Sequence, residues 1–94
     1  MSLEKNEYAT KDLHLASFLK IKGMELKRLE KFGKGRRGES PAYFVFDNLT
    51  RCEELENIFW EGLGSDIVVN AKDFVVTIRD LRSRVFSIIS PERI

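Results

Sequence analysis

One cysteine, one histidine, two prolines and no long apolar run mark what this 94-residue chain has little of. A lone Cys52 cannot close an internal disulfide, so a reducing cytoplasm is the expected compartment. The longest apolar stretches fall far short of the eighteen or so residues that span a bilayer, and no membrane association is expected. Residues 1–10 are polar and lack the apolar centre of a secretory signal. His14 and Cys52 fall on different expected helices, and no acyl-transfer signature surrounds either. No pair of His or Cys stands at zinc-ligand spacing. Glu53, Glu54, Glu56 and Glu61 scatter around a solvent face and do not converge on a cation. The expectation is a non-enzyme with no catalytic residues, no metal and no cofactor.

A net excess of one charge is also lacking, with a formal net charge of +1, and a bulk nucleic-acid coat is thereby excluded. Locally the charge is sorted. Residues 1–38 carry ten Lys/Arg against five Asp/Glu, residues 39–66 one against seven, and residues 67–94 five against three. Such sorting bears on docking rather than on fold.

The apolar content is ordinary for one globular domain, and two cores would each be too small to fold. Residues 1–9 read as a flexible tail and residues 10–90 as a single α+β domain. Thr10 is the expected cap of a first helix running to Gly23. Its residues Leu15, Ala16, Phe18 and Leu19 share one side while Leu13 and Ile21 lie on the other, so something should pack on both. Met24–Phe32 mixes strand-like alternation with a spacing of three, which predicts a strand with a bulge or register break near Arg28. The Gly-rich linker 33–41 leads into Ala42-Tyr43-Phe44-Val45-Phe46, a strongly β-prone run. Thr50 with Glu53 matches a capping box for a second helix, whose buried arc is Cys52, Leu55, Ile58, Phe59 and Leu63. Ile67-Val68-Val69 suggests a short strand. Asn70 and Asp73 start a last helix from about Ala71 to Ile89, with Phe74, Ile78, Leu81, Val85 and Ile88 as its inward stripe. The order is α-β-β-α-(β)-α: an antiparallel hairpin sheet covered by helices.

Two kinds of surface stand out. Trp60 falls beside Glu53 and Glu56, away from the centre of its helix's apolar arc, where an exposed Trp serves as an interface anchor. Near the end of the last helix Val85, Phe86, Ile88 and Ile89 spread over roughly 160° of the wheel, more than one sheet face needs. Leu13, Ile21, Trp60, Phe86 and Ile89 are therefore candidate contacts with a second copy, as a homodimer, or with another protein. The alternative is a nucleic-acid-associated protein whose hairpin loop grips phosphate with Arg28, Lys31, Lys34, Arg36 and Arg37. That loop lacks the spacing of a nucleotide P-loop.

Arg37-Gly38 followed by Tyr43-Phe44-Val45-Phe46 is similar to the aromatic strand of an RNA-recognition motif, in which alternate rings stack on bases. Three departures count against it. A first aromatic strand is missing from residues 1–9, Glu39-Ser40-Pro41 intrude, and the long final helix needs a place. Were Tyr43, Phe44 and Phe46 all open to solvent, stacking would become the leading reading.

Thr10-Lys11-Asp12-Leu13-His14-Leu15-Ala16-Ser17-Phe18-Leu19 with Lys22-Gly23, then Tyr43-Phe44-Val45-Phe46-Asp47, Phe59-Trp60 with Gly62, and Phe74…Ile78-Arg79-Asp80-Leu81 carry a wider likeness. In these blocks, across about residues 10–89, the chain resembles a family of short bacterial, archaeal and viral proteins classed as a domain of unknown function. The resemblance implies no activity and supplies no catalytic residue. The loop 33–41 looks longer than is usual there.

Overall fold

Six elements alternate in the order β-α-β-β-α-α among the residues that the computed structural model describes, 3–31, 42–62 and 67–89. They are β1 (Glu7–Thr10), α1 (Leu13–Ile21), β2 (Leu26–Lys31), β3 (Ala42–Asp47), α2 (Leu49–Glu61) and α3 (Ala71–Ile89). The α+β class and the antiparallel hairpin of β2 and β3 agree with the sequence reading. So does the register break, which falls between Leu26 and Arg28.

The sheet order is β1-β3-β2, with both outer strands antiparallel to β3. β3 is thus the middle strand, and α1 crosses over between two strands that do not touch. Paired residues share a face, because side chains alternate along each strand. Ala42, Phe44 and Phe46 therefore line one face with Thr10, Tyr8, Leu26 and Leu29. Phe44 and Phe46 are wholly buried there, packed with Leu15, Phe18, Leu19, Cys52, Leu55, Leu81 and Val85. α2 rests on β1 and β3, α3 rests on β2, and α1 touches both helices. All three helices cover the same sheet face.

Local chemistry sets the helix ends. Asp12 caps α1, accepting a hydrogen bond from the Leu15 N–H at 3.0 Å. Thr10 is not the cap that its type suggests. It closes β1, and its Oγ1 accepts from the Asp12 N–H at 3.1 Å. α2 likewise begins before the expected Thr50: Asn48 sits in the left-handed region at φ 70° and accepts from the Arg51 N–H at 3.2 Å. Asn tolerates that conformation better than other side-chain-bearing residues, which is why the helix can start directly after the strand. Asn70 caps α3 as expected, accepting from the Asp73 N–H at 3.0 Å.

Two expectations are corrected. The tail 1–9 contains most of β1, whose Tyr8 ring enters the core beside Phe46. Residues 67–69 form no strand; Ile67 and Val69 pack against the core as the lead-in to α3, and the Val68 carbonyl accepts from Lys22 Nζ at 3.1 Å. On the second apolar side of α1, Leu13 packs against the core while Ile21 is half-buried.

Replacing Asn48 separates its two roles. Asn48→Ala should lower stability by about 1–2 kcal/mol, since it loses the cap and strains the left-handed backbone. Asn48→Gly should change it by only a few tenths. Urea denaturation of the three proteins checks this order.

Candidate interaction surfaces

The sheet face away from the helices carries charge rather than an apolar platform. Glu7, Ala9, Val45, Asp47, Tyr43, Arg28 and Glu30 share it by register. Glu7 is only 3% exposed, a rare position for a carboxylate. Its partners explain it. Arg28 donates from both terminal nitrogens, to Oε2 at 2.8 Å and to Oε1 at 2.9 Å. The Glu4 N–H donates to Oε1 at 3.0 Å, and Lys27 Nζ stands 3.1 Å from Oε2. Arg28 also donates from Nε to Glu30 Oε2 at 2.6 Å. The forked Arg28 contact, helped by the Glu4 N–H and Lys27, holds the Glu7 carboxyl down at about 2 against an ordinary 4.5. Both Arg28 and Lys27 are pushed upward in turn, chiefly by their hydrogen bonds to Glu7.

On the same face Lys11 Nζ lies 5.6 Å from the centre of the half-buried Tyr43 ring. Phe44 and Phe46 point the other way. The three rings therefore do not form a solvent-facing platform, because alternation gives two of them to the core.

Cys52, at the start of α2, is fully buried, and its Sγ donates to the Asp47 carbonyl at 3.4 Å. Burial, with Asp47 nearby, pushes the thiol up to about 11. Tyr8 is raised far above the ordinary phenol range by burial and by its hydrogen bond to Glu56. His14 is exposed on α1, its ring centre 6.4 Å from that of Phe74. No group of three metal-ligating side chains occurs among the described residues, and no helix among them is long and apolar enough to cross a membrane.

The helices place the sequence-derived contact residues unequally. Trp60 is 62% exposed at the end of α2, with its ring edge-on to Phe59 at 5.0 Å; Phe59 in turn reaches Phe18 at 5.3 Å. An apolar chain thus runs from the core to the surface at Trp60. Phe86 is 60% exposed on α3, and Val75 and Val76 are exposed on the same helix. Ile21 is half-buried at the end of α1, while the side chain of Ile89 lies outside the described residues. Leu13 is half-buried and packs against the core.

Of the phosphate-gripping set, Arg28 and Lys31 fall among the described residues. Arg28 is tied to two carboxylates, which sequence reading could not foresee because Glu7 is 21 positions away. Lys31 is exposed at the end of β2, and Lys34, Arg36 and Arg37 lie outside the described residues. What sequence reasoning missed is the Glu7–Arg28–Glu30 cluster. The one available signal was Glu7 alternating with Tyr8 ahead of Thr10, a strand pattern within a polar segment.

The family described as Domain of unknown function (DUF5659) matches residues 5–87, a span that includes β1 and every helix but its last turn at most. No curated protein and no solved structure matches the chain.

Two outcomes follow from the geometry. A carboxyl held at about 2 in the fold and near 4.5 when unfolded stabilises the protein above that upper value and stops doing so as pH falls through the lower one. Glu7→Gln should therefore be less stable than the parent at neutral pH, with the gap closing between about 4.5 and about 2. Thermal melts across that range test it. Cys52 should resist a thiol reagent at about pH 8 in the native protein and react on unfolding, as colorimetric thiol titration would record.

Proposed function

The chain belongs to this family, a domain of unknown function (DUF5659), and we propose that it serves as a small non-enzymatic interaction module that self-associates. One observation carries the reading. Two large aromatic side chains, Trp60 and Phe86, stand more than half exposed on helices whose inward stripes are already satisfied by Cys52, Leu55, Leu81 and Val85. Exposed apolar area of this kind is surplus to the fold, and aromatic anchors concentrate binding energy. Trp60 is also braced from behind by Phe59, so little conformational freedom is lost when a partner covers it.

The non-enzymatic part rests on the sole thiol. It is sealed and kept protonated, and a nucleophile needs access and a thiolate. A reducing cytoplasm is the compartment that suits an unpaired cysteine.

Sedimentation velocity over a range of concentrations is the test. The parent protein should gain mass with concentration, and Trp60→Ala with Phe86→Ala should hold it at the monomer while its circular dichroism stays unchanged. A parent that remains a strict monomer at high concentration overturns the proposal.

A further inference from the structure

The sorted charge of the sequence acquires a geometry in the fold. α2 and α3 lie at opposite edges of the helical layer, over β1 and β2 respectively, with α1 between them. At 100° per residue, Glu53, Asn57, Trp60 and Glu61 occupy about one quarter of the α2 surface, facing outward. All four are exposed, and Glu53 and Glu61 make no ion pair among the described residues. On α3, Lys72, Val75, Arg79, Arg82 and Phe86 occupy a similar arc, all exposed, with no carboxylate among them. Asp80 lies on the other flank, paired with Arg84 at 3.3 Å.

The two stripes match in more than charge. Glu53-Asn57-Trp60 and Val75-Arg79-Arg82-Phe86 both step four, three along their helices, the spacing at which one helix seats its side chains between those of another. Each stripe pairs one aromatic with charges of a single sign.

From this we infer that a second copy of this chain docks head to tail. The acidic outer face of α2, with Trp60, seats on the basic flank of α3, beside Phe86, in the next copy. The inference rests on the self-association proposed above and states which surfaces meet. Like charge would oppose α2 meeting α2 or α3 meeting α3, whereas the mixed contact is attractive. Docked head to tail, each copy keeps one face of each kind for a further neighbour, so the contact is heterologous and continues past two copies. It builds rings or chains.

Charge reversal tests it. One variant carries Glu53→Lys and Glu61→Lys, the other Arg79→Glu and Arg82→Glu. Sedimentation velocity at about 50 mM salt should show species beyond the dimer for the parent protein, thinning at about 500 mM. Each variant alone should associate about tenfold or more weakly, and an equal mixture of the two should regain association, because reversed meets reversed and native meets native. Far-UV circular dichroism checks folding. Should a reversal unfold, the milder Glu53→Gln with Glu61→Gln must still weaken association. A discrete dimer with nothing larger overturns the head-to-tail arrangement, and so does undiminished association of either variant or a mixture that stays monomeric. In those cases self-association itself stands, whereas a monomeric parent removes both.

Discussion

Phe44 and Phe46 must be kept dry, and β3 by itself can cover neither its faces nor its edges. Burying each ring contributes about 1.5–3 kcal/mol, so a strand carrying both will not rest until layers form over it. The edges are closed by β1 and β2, which pair with it on either side. The face is closed by three helices that bring Leu15, Phe18, Leu19, Leu55, Leu81 and Val85 to the same interior. A bare hairpin of β2 and β3 would be marginal in water. The third strand and the helical cover make it a core.

That arrangement leaves the opposite sheet face with a different chemistry. A middle strand must put every second residue outward, and there Val45 and Tyr43 stand among Glu7, Arg28, Glu30 and Lys11. The forked contact between Arg28 and Glu7 fastens β2 to β1 across the strand that separates them. It joins the two sheet edges without any backbone pairing between them. An ion cluster of this kind also keeps the face from offering the stacked rings of a base-binding sheet, because its aromatics are divided between inside and outside.

The helical layer shows how the surface is apportioned. α1 lies in the middle, with five consecutive residues, Leu15 to Leu19, fully buried, and even Ser17 satisfies its hydroxyl by donating to the Leu13 carbonyl at 2.9 Å. A helix so enclosed has almost nothing left for recognition. α2 and α3 flank it and each keep an outward half, one acidic with Trp60 and the other basic with Phe86. Segmental charge sorting, which says nothing about fold, thereby becomes a difference between the two ends of one molecule.

Much of the architecture was legible because its causes are local. The inward stripe of α3, its start at Asn70, the aromatic strand and the register break before Arg28 follow from periodicity, capping and β-propensity acting within a few residues. The same signals mislead where two elements compete for one residue. Thr10 and Thr50 are good caps by type, but Thr10 is claimed by β1, and α2 starts two residues earlier because Asn48 can adopt a left-handed turn. The candidate contacts divide in the same way. Trp60 and Phe86 were visible as apolar residues off the stripe, whereas Leu13, equally spare by pattern, packs against the core. By itself the sequence determined the helices, the hairpin and the sorting of charge, since each depends on neighbours along the chain. Only the tertiary structure decided that Glu7–Thr10 is a strand, that Arg28 belongs to the fold, and which apolar residues face water, because those outcomes depend on partners twenty or more positions away.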